Sequence, residues 1–283
     1  MSAVASGTRP PRRPRRLAYP VFRTVMIVLI VLVLVLPIVW MLLASLKTTV
    51  DIYQPARVLD FTPTLDNYAR VFAQQNFLLF MVNSFVVAAV STVLSMIIGL
   101  PAAYAMSRFL MRRSAAWVLL ARIIPGISLL VPWYIIFAGM GLVGGYGALI
   151  LSHMFVSLPL IVWILMSFFD GLPIELEESA QIDGLTPIGA FLRISLPLSS
   201  PGIATSGILA FIFSWNNFIF ALVLSSESTK TLPVAIFNFL GYASIDWGGL
   251  MAASAVITLP VMLVALLTQK YIVSGLTAGA TKG

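Results

Sequence analysis

Residues 170–201 read DGLPIELEESAQIDGLTPIGAFLRISLPLSSP. Pro173 suits the first turn of a helix, and Glu175, Glu177 and Glu178 favour the positive end of its dipole. Gly184 then supplies a helix stop. Thr186 can cap a second helix that has Pro187 at its first position, with Ile188, Phe191 and Ile194 on one face. Pro197 is expected to end that helix. The segment therefore reads as a helix–glycine turn–helix hairpin with one acidic lip and one apolar face.

What surrounds the hairpin decides where it sits. The 283-residue chain is 60% hydrophobic and only 10% charged, against roughly 25% charged in soluble domains. So few charges cannot cover the surface of a soluble globule, and the long continuous apolar runs fit membrane helices rather than a barrel. Runs near the ~20 residues needed to cross a bilayer fall at about 21–45, 77–103, 115–138, 147–169, 202–224 and 249–271. The expected fold is an all-α membrane protein of six transmembrane helices, with the hairpin between spans four and five. Its expected domains are a basic, Pro-rich leader (1–20), a permease domain (21–273, hairpin about 170–201) and a tail (274–283).

Lys and Arg bias orients the bundle. With the N-terminus inside, twelve basic residues lie on the cytoplasmic side, among them Arg108, Arg112, Arg113 and Arg193. Four lie outside: Lys47, Arg57, Arg70 and Lys230. Both termini and the hairpin are thereby placed in the cytoplasm. The net charge of +7 reflects this juxtamembrane bias and does not point to nucleic acid. The absence of cysteine removes disulfides and thiolate chemistry. In the first outer loop, Thr64 followed by Leu65, Tyr68 and Phe72 reads as a short amphipathic helix lying on the membrane surface or against a partner.

A hairpin that merely lay along the headgroups would be expected to be basic. This one carries Asp170, Glu175, Glu177, Glu178 and Asp183 against Arg193, which suits a basic protein socket better than anionic lipid. Its spacing also resembles the loop of ABC-importer permeases: Glu-Ala-Ala, three residues, Gly, nine residues, Ile-x-Leu-Pro. Here Glu178-Ser179-Ala180 is followed by Asp183-Gly184 and, nine residues later, by Ile194-Ser195-Leu196-Pro197. Only Ser179 departs from the pattern. Asn83-Ser84, Ala102-Ala103-Tyr104-Ala105 with Arg108, and Phe213 to Phe218 are similar to the same family, as is the tail from Ser274 to Gly283.

The chain thus resembles the second permease subunit of maltose-type carbohydrate importers, of the type I ABC class, in the bacterial cytoplasmic (inner) membrane. The resemblance implies a sugar substrate, a second permease subunit, two ATPase subunits that use ATP and Mg, and an extracytoplasmic solute-binding protein. It also implies that the hairpin docks into an ATPase cleft through Glu178, Ser179, Ala180, Asp183, Gly184, Ile194, Leu196 and Pro197.

Candidate pathway residues are Arg122, about 12 Å into span three, and Trp215, Asn216 and Asn217 midway along span five. Each has a plainer reading: Arg122 snorkelling or bracing a helix, the amides bonding between helices. Pro125-Gly126 would let span three bend. His153 reads as a packing residue. In the outer segment 225–248, Asn238, Tyr242, Asp246 and Trp247 are candidates for binding-protein contact, or else part of an interfacial aromatic belt.

No Walker-type motif occurs, so energy must come from a partner. No catalytic constellation is seen, and no Asp or Glu lies deep in a span, as a secondary transporter would require. An importer for another solute, such as glycerol phosphate or a peptide, is the nearest alternative.

Overall fold

A computed structural model of the chain describes residues 18–54, 58–74, 76–241 and 244–278. In chain order the main helices are α1 (Ala18–Ser45), α2 (Asp66–Gln74), α3 (Phe77–Arg108), α4 (Arg112–Leu120), α5 (Leu130–Gly139) and α6 (Tyr146–Phe169). Then come α7 (Glu175–Ile182), α8 (Pro187–Leu198), α9 (Ser200–Trp215), α10 (Ile219–Leu224) and α11 (Trp247–Ala278). The expected leader, 1–20, lies almost wholly outside the described residues, as do residues 279–283 of the tail.

Four helices, α1, α3, α6 and α11, are individually long and apolar enough to cross a membrane. The expected spans three and five are not single helices. Span three is split into α4 and α5 by a turn at 121–125 and a 3-10 turn at Gly126–Leu129. Pro125 is the cause: it lacks an N–H, its ring would collide with the carbonyl four residues back, and it drives Ile124 out of the helical region. Span five is split at Asn216–Phe218 into α9 and α10.

The core is built on α3 and α6, which run parallel. Tyr146 donates to Asn83 Oδ1 at 2.6 Å near one end, and Ser107 donates to Asp170 Oδ1 at 2.5 Å near the other. Between them, a Cβ on Gly99 would lie 2.8 Å from Ile161. The register follows from the sequence of α3. Asn83, Val87, Ser91, Ser95, Gly99, Ala103 and Ser107 recur every fourth residue and are all buried. Four-residue spacing places them on one face, and mostly small side chains there let two helix backbones approach closely. Because α3 and α6 are parallel, residues 112–139 return the chain along their length in two pieces.

Helix α9 closes the third side. The Ser214 hydroxyl sits 3.0 Å from that of Ser91 and 2.7 Å from His153 Nδ1, so His153 is a buried packing residue. Helix α1 packs on α11 and leaves most of its apolar surface open.

The connection between the first two spans does form a helix, α2, with Thr64 accepting from the Asp66 amide at 3.1 Å. Its partner is this chain's own core. Val71 and Asn67 are buried while Leu65 and Phe72 are exposed, and Asn67 donates to the carbonyls of Ser45 and Lys47. Tertiary hydrogen bonding chose a face slightly rotated from the one hydrophobicity alone indicates.

Candidate functional site: the hairpin and its anchor

The hairpin forms as its sequence requires. Pro173 and three glutamates open α7, and Gly184 turns the chain at φ +95°, a conformation that costs other residues roughly 1–2 kcal/mol. Thr186 caps α8 by accepting from the Gly189 amide at 3.1 Å. The second helix departs from expectation: it runs through Pro197 to Leu198, passes through a π-turn at Phe191–Ser195, and meets α9 at 74°. The backbone bends beside Ser199 and not at the proline.

The hairpin is fixed to the bundle by a cluster centred on Glu177. The Arg108 guanidinium meets Glu177 Oε1 at 2.7 Å, the Ser195 hydroxyl donates to that oxygen at 2.7 Å, and the Tyr104 hydroxyl donates to Oε2 at 2.6 Å. Arg108 also donates to the Phe169 carbonyl at 2.9 Å. Four elements thereby meet in one cluster: α3 and α8 bond the carboxylate carried by α7, and the end of α6 is held through Arg108. The rings of Tyr104, Phe169 and Phe191 pack around it.

Burial pushes the Glu177 carboxyl upward. The three donated hydrogen bonds and the positive charge of Arg108 outweigh this and hold it below the usual carboxylate range. From the sequence, Glu177 is one of three glutamates at a helix dipole and one of five acidic residues facing an expected basic socket, with no anchoring role of its own. The usable signal was the pairing of Arg108 with a run of three glutamates, but nothing in spacing selects the middle one.

Of the expected docking residues, Glu178, Ser179, Asp183, Gly184 and Pro197 are exposed, Ile194 and Leu196 are half-buried, and Ala180 is buried. Ile182 is 87% exposed and Ile188 71%, so the tip presents acidic and apolar groups together.

The expected pathway residues occupy the two helix breaks. Arg122 is exposed in the turn between α4 and α5, its guanidinium 5.9 Å from the ring of Trp163. Asn216 donates to the Ile212 carbonyl at 2.9 Å, and Asn217 accepts from the Phe220 amide at 3.2 Å. One asparagine finishes α9 and the next starts α10. Trp215 is turned inward, donating to the Ile257 carbonyl at 3.2 Å and stacking on Phe211. It ties α9 to α11, and of these three residues only the asparagines reach the surface.

At the opposite end of α3 from the hairpin, Asn83 donates to the carbonyls of Ser228 and Lys230, and Ser84 accepts from the Leu232 amide, so this pair pins the 225–248 segment. Asn238 faces Lys230 at 3.5 Å, and Asp246 accepts from the Gly249 amide and lies 3.6 Å from Arg70. Trp247 lines a cavity of about 380 Å³ with Trp40, Lys47 and Gln54. Tyr242 lies outside the described residues.

Comparison with known proteins agrees with this architecture. Residues 95–278 match the family model of binding-protein-dependent transport system inner membrane components. The chain belongs to that family, and is a multi-pass permease of an ABC transport system.

Among its relatives is the sulfoquinovosyl glycerol transport system permease protein SmoH of Agrobacterium fabrum. It is 39% identical over 87% of this chain and 88% of its own length. The trehalose transport system permease protein SugB of Mycobacterium tuberculosis is 37% identical over 88% and 92%. Among solved structures, a chain of a bacterial ABC transporter for import of the acidic polysaccharide alginate superposes with a TM-score of 0.77. It is 19% identical and covers 93% of this chain and 99% of that one, a likeness of fold.

Proposed function

We propose that this chain forms half of the translocation pathway of an ATP-driven sugar importer, and that its hairpin transmits the ATPase cycle to the bundle. The observation that carries the reading is the Glu177 cluster. A hairpin bonded to the ends of two core helices, with an acidic and apolar tip left exposed, is a rigid lever with a free docking end. A basic socket suits it, and disaccharide and glycoside permeases among the relatives support a glycoside as cargo.

In this scheme six crossings, two of them made in two pieces, leave both termini and the hairpin in the cytoplasm. A second permease completes the pathway, and two ATPase subunits bind the hairpins and use ATP and Mg. The chain itself holds no cofactor. ATP binding draws the ATPases together and turns the bundle outward, and hydrolysis resets it. A binding protein delivers solute at the outer face, where Asn238, Asp246 and Trp247 lie.

The chain has no native cysteine, which makes the test direct. Asp183→Cys or Ile188→Cys in the assembled complex should cross-link to an ATPase subunit, with a yield that changes on ATP binding. Cross-linking that never captures an ATPase would reject the docking role.

A further inference from the structure

The two helix breaks are neighbours. Gly126, just past the first break, faces the ring of Phe220 in α10, with 3.6 Å between that ring and the position a Cβ would occupy. Unwound backbone at membrane depth is tolerated where it is buried in protein or lines a water-filled cavity. Here Arg122 to Pro125 are exposed, Asn216 is exposed, and a cavity of about 240 Å³ opens between Arg122, Ile124, Gly126 and Phe155.

Arg122 is also uncompensated within its own chain. All ten acidic residues lie outside the apolar spans, and the ion pairs among the described residues do not include Arg122. An arginine at this depth is costly against lipid and belongs on an aqueous or protein-lined face. The Trp163 ring holds its guanidinium by a cation–π contact without neutralising it. The charge therefore remains available to attract an anion.

Building on the importer reading, we infer that Arg122 presents an anion-binding point to the translocation pathway, and that the transported glycoside carries a carboxylate, sulfonate or phosphate. The planar guanidinium fork suits two-point recognition of any of these groups. Exposed Asn216 stands at the facing break, where an amide suits hydroxyl groups. The acidic function is then read by the permease itself as well as by whatever delivers the solute.

Ile124 is 47% exposed and lines the same cavity, so Ile124→Cys in the full complex is a reporter. Its modification is read from the mass of this chain, using an anionic sulfonatoethyl and a cationic trimethylammonium-ethyl methanethiosulfonate. With Arg122 present, the anionic reagent should gain relative to the cationic one by about fivefold or more, as expected when a unit charge within about 8 Å in water attracts one reagent and repels the other. Arg122→Lys should keep most of this preference and Arg122→Gln should remove it. Methyl glucuronide should slow labelling, while methyl glucoside should not.

Labelling by both reagents without charge preference, or equal protection by both glycosides, would overturn the inference and leave the pathway intact. It would mean that the partner permease neutralises Arg122. No labelling by either reagent would overturn it by removing the break from the pathway. Failure of the importer reading is separate, and would appear as the absence of any ATP-dependent change in labelling or hairpin cross-linking.

Discussion

The guanidinium of Arg108 and the carboxylate of Glu177 meet at 2.7 Å, with their side chains 12% and 6% exposed. One residue ends α3 and the other lies in the hairpin, so the contact joins membrane helix to lever. Breaking a buried pair by removing one partner leaves an uncompensated charge and costs about 3–5 kcal/mol. Glu177→Ala should lower the thermal transition of the solubilised complex and reduce uptake tenfold or more. Adding Arg108→Ala should worsen stability by less than its single effect. A simple sum of the two losses would show that the contact is not the link.

The same carboxylate gives a pH dependence with a definite sign. Its folded pKa lies below the ordinary value of 4.5, so its stabilisation is fully present above that value and is lost as pH falls through the folded pKa. The stability gap between the wild type and Glu177→Gln should be constant from about pH 6 to 8 and shrink below about pH 4. Thermal unfolding at stepped pH measures this. A gap that closed near neutrality would contradict the cluster's electrostatics.

Gly99 tests the packing of α3 on α6. A Cβ there would sit 2.8 Å from Ile161 Cγ2, whereas one on Gly139 would meet nothing within 4 Å. Gly99→Leu should destabilise by about 1–3 kcal/mol or more and reduce membrane accumulation. Gly139→Leu should be near neutral. Quantifying both variants in membrane fractions is sufficient, and equal accumulation would refute the close helix approach.

Gly184 separates folding from docking. Its φ of +95° penalises most side chains, but the space around it within the chain is empty. Asparagine enters positive φ more readily than β-branched residues. Gly184→Asn should therefore leave the thermal transition within about 1 kcal/mol of wild type while lowering uptake at least tenfold. Unimpaired uptake would argue that no partner closes over the turn.

Asn217 tests the break in α9–α10. Its side chain accepts from the Phe220 amide, and replacing such a cap by alanine costs about 0.5–2 kcal/mol. Asn217→Asp should preserve the cap and Asn217→Ala should weaken it, which hydrogen exchange over residues 219–224 would resolve. Identical exchange in all three proteins would mean the amide serves something other than the helix start.

The sequence by itself determined the class, the hairpin and the weak point of span three. Long apolar runs, Gly184 after an acidic helix, Thr186-Pro187 and Pro125-Gly126 each act through local backbone chemistry that needs no partner. Only the tertiary structure decided which of Glu175, Glu177 and Glu178 anchors the lever, because that depends on where Arg108 and Tyr104 arrive from α3 and Ser195 from α8. It also decided that span five is divided at Asn216–Phe218, that Trp215 turns inward, and that the two breaks meet. Those outcomes depend on contacts between separate helices, from Ser195 with Glu177, 18 positions apart, to Tyr104 with Glu177, 73 apart, and local periodicity carries no record of them.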